Sequence, residues 1–103
     1  MGAPSATKKV HTELAGDLKL VVYYFSPTAA SDTVTFVAAT HKFRKIYSVI
    51  AQVTEGQDAA LQTAHATFSG LVVTVAQLNA AGGAATNWDA AVITLTMLVG
   101  SAD

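Results

Sequence analysis

Ala64-His65-Ala66-Thr67-Phe68-Ser69-Gly70-Leu71-Val72-Val73-Thr74-Val75-Ala76-Gln77 is the stretch that decides the fold. In its first arm Thr63, His65 and Thr67 alternate with Ala64, Ala66 and Phe68, the period of two that marks a strand with one wet face. Its second arm, Leu71 to Gln77, is β-branched and returns along the first. Ser69-Gly70 between them suits a tight hairpin turn, because glycine takes the positive φ such turns need. The alanines of residues 59–66 also permit one helical turn with Asp58 as N-cap. The alternation favours a strand from about Ala64 to Phe68.

Strand signals continue on both sides of this hairpin. Leu18 to Phe25 is β-branched and aromatic and is stopped by Ser26-Pro27. Asp32-Thr33-Val34-Thr35-Phe36 alternates polar with apolar, and Ile46 to Val53 follows a basic stretch from Thr40 to Lys45. In the last segment Ile93, Leu95, Met97 and Val99 face one way and Thr94 and Thr96 the other. Glu55 to Asp58 reads as a polar turn, and Asn79 to Thr86, with Gly82-Gly83, as a flexible loop. These segments predict an all-β domain, an antiparallel β-sandwich or small barrel of about six to eight strands, with no amphipathic helix. Residues 1–13, small, polar and basic with Pro4, read as a flexible N-terminal arm. Residues 14–103 form the single β domain.

Charge is distributed unevenly. All six lysines and arginines lie between Lys8 and Lys45. With Glu13, Asp17 and Asp32 among them, the front carries about +3, while Glu55, Asp58, Asp89 and Asp103 give the back about −4. Such a chain can complement copies of itself or a charged partner. Only 13% of residues are charged, against roughly 25% in an ordinary soluble domain, so part of the surface is expected to lie against other chains. The N-terminus carries no apolar signal-peptide core, and no apolar run approaches the ~18 residues that cross a bilayer, so cytoplasmic synthesis without a membrane is expected.

No constellation for chemistry is present. Cysteine is absent, which excludes disulfides and thiolate metal sites. His11, His41 and His65 are too far apart in sequence to form a zinc motif. The Gly82-Gly83 loop has no lysine or phosphate-binding framework. The expectation is a protein that is not an enzyme and takes no cofactor.

Two features suggest binding. His41-Lys42-Phe43-Arg44-Lys45 could contact phosphates with Phe43 stacked on a base, meet an assembly partner, or be a solvated turn whose aromatic plugs the core edge. A net charge of −1 argues against nucleic acid. Lys8 and Lys9 of the arm join Lys42, Phe43, Arg44 and Lys45 as candidate assembly contacts. Trp88, with Tyr23 and Tyr24, could form a carbohydrate- or surface-binding face, although a lone tryptophan before a core strand more often closes the end of a sandwich.

The Ala/Thr/Val-rich, cysteine-free β pattern, carried by residues 31–36, 66–75 and 88–95, resembles the head decoration (cement) proteins of tailed bacteriophages. That resemblance implies a non-enzymatic virion protein on the capsid surface. It would be a homo-oligomer, most often a trimer, that binds the major capsid protein. A tail-tube or head–tail joining subunit is the nearby alternative.

Overall fold

The computed structural model describes residues 2–14, 16–88 and 91–100. They form two antiparallel sheets packed face to face, without closing into a barrel. The elements are β1 (Thr7–Glu13), β2 (Leu18–Phe25), β3 (Ser31–Thr35), α1 (Ala38–His41), β4 (Lys45–Glu55), β5 (Thr63–Ser69), β6 (Val72–Leu78) and β7 (Val92–Gly100). One sheet has the order β1-β2-β7-β4 and the other β3-β6-β5. Only the β1–β2 and β5–β6 connections stay within a sheet, and every other connection crosses between sheets.

The core follows from strand alternation. Val21, Tyr23 and Phe25 of β2 and Ile93, Leu95, Met97 and Val99 of β7 point inward, against Val34 of β3 and Val73 and Val75 of β6. The hairpin stands where its sequence puts it, one residue shifted: Ser69 pairs with Val72, so Gly70-Leu71 is the two-residue loop. Gly70 has φ +60 and Leu71 does not share the positive φ, which defines a type II′ turn matched to the twist of its strands. Asp58 does cap a turn, its Oδ1 accepting from Ala60 N–H at 2.8 Å and Leu61 N–H at 3.0 Å. No helix follows, because Leu61 is drawn into the core and the chain enters β5 at Thr63.

Two assignments differ from the sequence reading. The segment read as an unpaired arm is, from Thr7 to Glu13, the edge strand β1, hydrogen-bonded to β2. Exposure along most of β1 leaves it no apolar period to betray it, and backbone pairing with the free edge of β2 supplies the order. Gly2 makes a parallel bridge to Asp32 of β3, with Gly2 N–H donating to Ser31 O at 3.0 Å and Thr33 N–H to Gly2 O at 2.8 Å. Residues 2–6 therefore strap one sheet to the other. A side chain at position 2 would collide with Thr28 Oγ1 and Asp32 Oδ1. The second difference is α1, a single helical turn where no helix was expected. It ends at Lys42, which takes φ +68.

The edge strands of the larger sheet are irregular. β1 bulges at Lys9, which has no partner between the Lys8–Tyr23 and Val10–Val22 pairs. β4 bulges twice, at Tyr47 and at Thr54. Tyr47 lies over Gly100 of the neighbouring strand, where a Cβ would come within 2.9 Å of its ring; the aromatic covers backbone that a glycine leaves bare.

The core also contains a polar knot. Asp32 lies on the same strand face as Val34 and Phe36 and is completely buried. Its carboxylate accepts from Thr28 N–H at 3.1 Å, Thr28 Oγ1–H at 2.6 Å and the Gln77 amide at 2.5 Å. Gln77 Nε2 also donates to Ala29 O at 2.9 Å. These bonds tie the β2–β3 crossing to β6 beneath the Gly2 bridge.

Candidate functional site

The two outward faces of the sandwich differ in chemistry. On the smaller sheet Thr33, Thr74 and Thr67 stand in register across β3, β6 and β5. Beside them lie Ser31, Thr35, Ser69, Ala76 and His65, a face that water solvates well. On the larger sheet the corresponding row is Val10–Val22–Thr96–Ile50, in register across all four strands. The next row is Thr12–Leu20–Leu98–Ser48 and the one before it ends in Tyr24–Thr94–Gln52. Val10 is 41% exposed and Ile50 64%. The outward positions of β2 and β7 carry no charged side chain. Aliphatic and aromatic side chains thus stand among Thr, Ser and Gln on a face whose charges lie only at its edges, and this uncharged face is the most distinctive surface of the molecule.

Charge enters at one end of this face. Lys8 and Lys9, at the β1 bulge, share a shallow groove of about 710 Å³ with Tyr24, Thr94 and Glu55. The groove floor is the Tyr24–Thr94 pair, and Thr54 Oγ1 and Thr94 Oγ1 are joined at 2.9 Å. The two cations lie on the β1 side and the carboxylate on the β4 side, with β2 and β7 between them.

The six residues singled out from the sequence do not form one patch. Lys8 lines two grooves, the first with Lys9 and a second with Lys42, Tyr23 and His41. Lys42 O accepts from Lys19 Nζ at 2.9 Å. Arg44 N–H donates to Gly100 O at 2.8 Å, which fixes the entry into β4. The Lys45 ammonium stands 5.3 Å from the centre of the Tyr47 ring, a cation–π contact. Phe43 is only 1% exposed and so cannot touch a partner while the protein is folded.

Phe43 belongs to an aromatic cluster with Tyr23, Phe36 and His41. The Tyr23 and Phe36 rings lie 5.0 Å apart edge to face, and Phe36 and Phe43 are 5.3 Å apart. His41 stands over Phe36 at 5.0 Å, and its Nδ1 accepts from Val37 N–H at 2.9 Å in the neutral tautomer that makes it an acceptor. The ring thus caps α1 and roofs the core at once. Trp88 also packs against the core, and the three histidines sit on β1, α1 and β5.

Burial raises the Tyr23 phenol above 10.0, because the phenolate would lose its hydration. The contribution of Tyr23 to stability is therefore fully present below the ordinary phenol range and is lost as pH rises through its raised value, since the unfolded chain ionises Tyr23 before the fold does. Tyr23→Phe should flatten this alkaline loss and remove the last-ionising part of the tyrosinate absorbance at 295 nm. Equal alkaline slopes for the two proteins would contradict it.

Comparison with protein-family models, curated proteins and solved structures finds no match. What the protein does must be read from its own surfaces. The outer face did leave a signal in the sequence. Leu20 to Phe25 is continuously apolar, whereas an antiparallel strand with one wet face alternates. A continuous run means that both faces of β2 are apolar.

Proposed function

We propose that this protein is a non-enzymatic assembly component that acts through its sheet surfaces. Its more specific role is that of a capsid decoration protein, binding the major capsid protein of a tailed phage on the virion surface. The observation that supports an assembly role is the uncharged outer face of β1-β2-β7-β4, on which Val10, Tyr24 and Ile50 stand exposed. A chain with so few charges gains by covering that face, at about 25 cal/mol for each Å² of apolar surface removed from water. The phage assignment rests on the resemblance of residues 31–36, 66–75 and 88–95 to decoration proteins.

The test is decoration itself. The purified protein is mixed with heads assembled from the tailed-phage coat protein that this reading requires to share its genome, and the heads are imaged by electron cryo-microscopy. Added density on the head exterior, with greater resistance of the heads to heat, is the expected result. Bare heads of unchanged stability would overturn the capsid role, and isolated rings would favour a tail-tube or head–tail joining subunit.

A further inference from the structure

We propose that the free edge of β5 pairs with β5 of a second copy of this chain, joining the two smaller sheets into one of order β3-β6-β5-β5-β6-β3. This requires only the fold, and it stands whether or not the capsid role does.

The direction of each backbone group along β5 follows from the far side of its sheet. Phe36 N–H donates to Leu71 O and Gln77 N–H to Ala30 O, both at 2.8 Å, so the odd-numbered residues of β6 bond toward β3. The even-numbered ones therefore bond toward β5, where Thr74 and Ala76 meet Thr67 and His65. That leaves the N–H and C=O groups of Ala64, Ala66 and Phe68 directed away from the sheet, without a partner among the described residues. Gln62 ends the row, because its N–H bonds to Leu78 O at 2.8 Å and its carbonyl accepts from Gln57 Nε2 at 2.6 Å. The turn at Gly70 ends it on the other side. Between these limits β5 has no bulge, proline, lysine or carboxylate, the devices that keep sheet edges apart. The opposite margin of the sheet, at β3, is instead occupied by Gly2.

A free row of this kind takes an extended strand, and its own symmetry selects which one. Ala66 is its centre. A twofold axis through that centre, normal to the sheet, sets Ala66 against Ala66 and each Ala64 against the partner's Phe68, antiparallel. Every free N–H and C=O of the row is then used, and none is left over at either end. The side chains fit the same register. Phe68 has the inward parity of Ala64 and Ala66, yet it is 40% exposed. Ala64, which it meets across the axis, carries only a methyl group and borders a groove of about 350 Å³ between β4 and β5, beside Ala51 and Val53. Each Phe68 thus finds a small neighbour and a groove on the other copy, and the contact is made twice. On the wet face His65 meets Thr67, so no like charges are set together. The resulting pair differs from the trimer that the resemblance to decoration proteins implies, because a threefold contact joins two different surfaces and cannot pair a strand with itself.

The experiment is sedimentation equilibrium of the full chain from micromolar to millimolar concentration. A monomer–dimer equilibrium is expected. Ala66→Pro should abolish it, since the row loses its central donor and two rings meet at the axis. That N–H serves no bond within the monomer, so an edge strand tolerates the proline, which an unchanged circular dichroism melt verifies. Phe68→Ala should weaken association about 100-fold, because each dimer loses two anchoring aromatics. The chain has no cysteine of its own, so an introduced one reports the axis directly. Ala66→Cys should form a disulfide-linked dimer on mild oxidation, its paired Cα atoms lying about 5.5 Å apart. Thr74→Cys, one strand removed from the axis, should not. If proline disturbs the melt, the Phe68→Ala and cross-linking results decide. A monomer at about 1 mM, where even weak homodimers form, overturns the proposal. So does an oligomer indifferent to Phe68→Ala and to a correctly folded Ala66→Pro, or a Thr74→Cys protein that cross-links as readily as Ala66→Cys.

Discussion

Phe43→Ala is expected to lower the stability of the fold by about 3–5 kcal/mol, the range for truncating a fully buried aromatic. The side chain fills the space between Phe36, Tyr23 and the His41 roof. Alanine leaves a cavity that three rigid rings cannot collapse to fill. The neighbouring charges are the control: Lys42→Ala and Arg44→Ala stay on the surface, and the surface norm is within about 0.5 kcal/mol. Urea denaturation followed by tryptophan fluorescence measures all three. A stable Phe43→Ala protein with weakened self-association would return Phe43 to the surface, and that outcome would refute its place in the core.

Asp32→Ala is expected to cost about 2–4 kcal/mol. The substitution removes a carboxylate whose burial was expensive, yet it strands the donors arranged around it. Thr28 N–H and one N–H of Gln77 lose their acceptor inside the protein, at about 1–3 kcal/mol for each unsatisfied group. Gln77 cannot compensate, because its Oε1 already has no partner among the described residues. Asp32→Asn should fall between the two proteins. One amide oxygen survives to receive Thr28, while the new amino group faces the Gln77 amide unless that amide turns, which would set its oxygen against Ala29 O. Thermal melts of the three proteins decide the matter. If alanine proves as stable as aspartate, the knot does not hold the sheets together.

The strands that build the core were legible in the sequence because burial on one side enforces alternation. Residues 92–99 show it plainly, and the hairpin was placed to within one residue. β1 was illegible for the converse reason: an edge strand wet over most of its length has no apolar period, and its pairing is a backbone property. Asp32 shows how type and position can disagree. Its parity with Val34 and Phe36 placed it inward, while its charge argued for outward, and the donors that reconcile the two come from Thr28 and the distant Gln77. Phe43 was obscured in the same manner by the cations on either side of it. The outer face needed the register, since Val10 and Ile50 lie 40 positions apart in the chain and meet in one row only once β2 and β7 are set between them.

The bulges at Lys9, Tyr47 and Thr54 bear on how large any assembly can become. Both margins of the four-stranded sheet carry one, and each breaks the regular spacing of free N–H and C=O groups that an incoming strand would have to match. Open-ended growth by strand addition is thereby blocked at both margins. A chain this rich in Val, Thr and Ala would otherwise be at risk of fibre formation. The protection is confined to the larger sheet, since β3 and β5 pair with β6 in unbroken register.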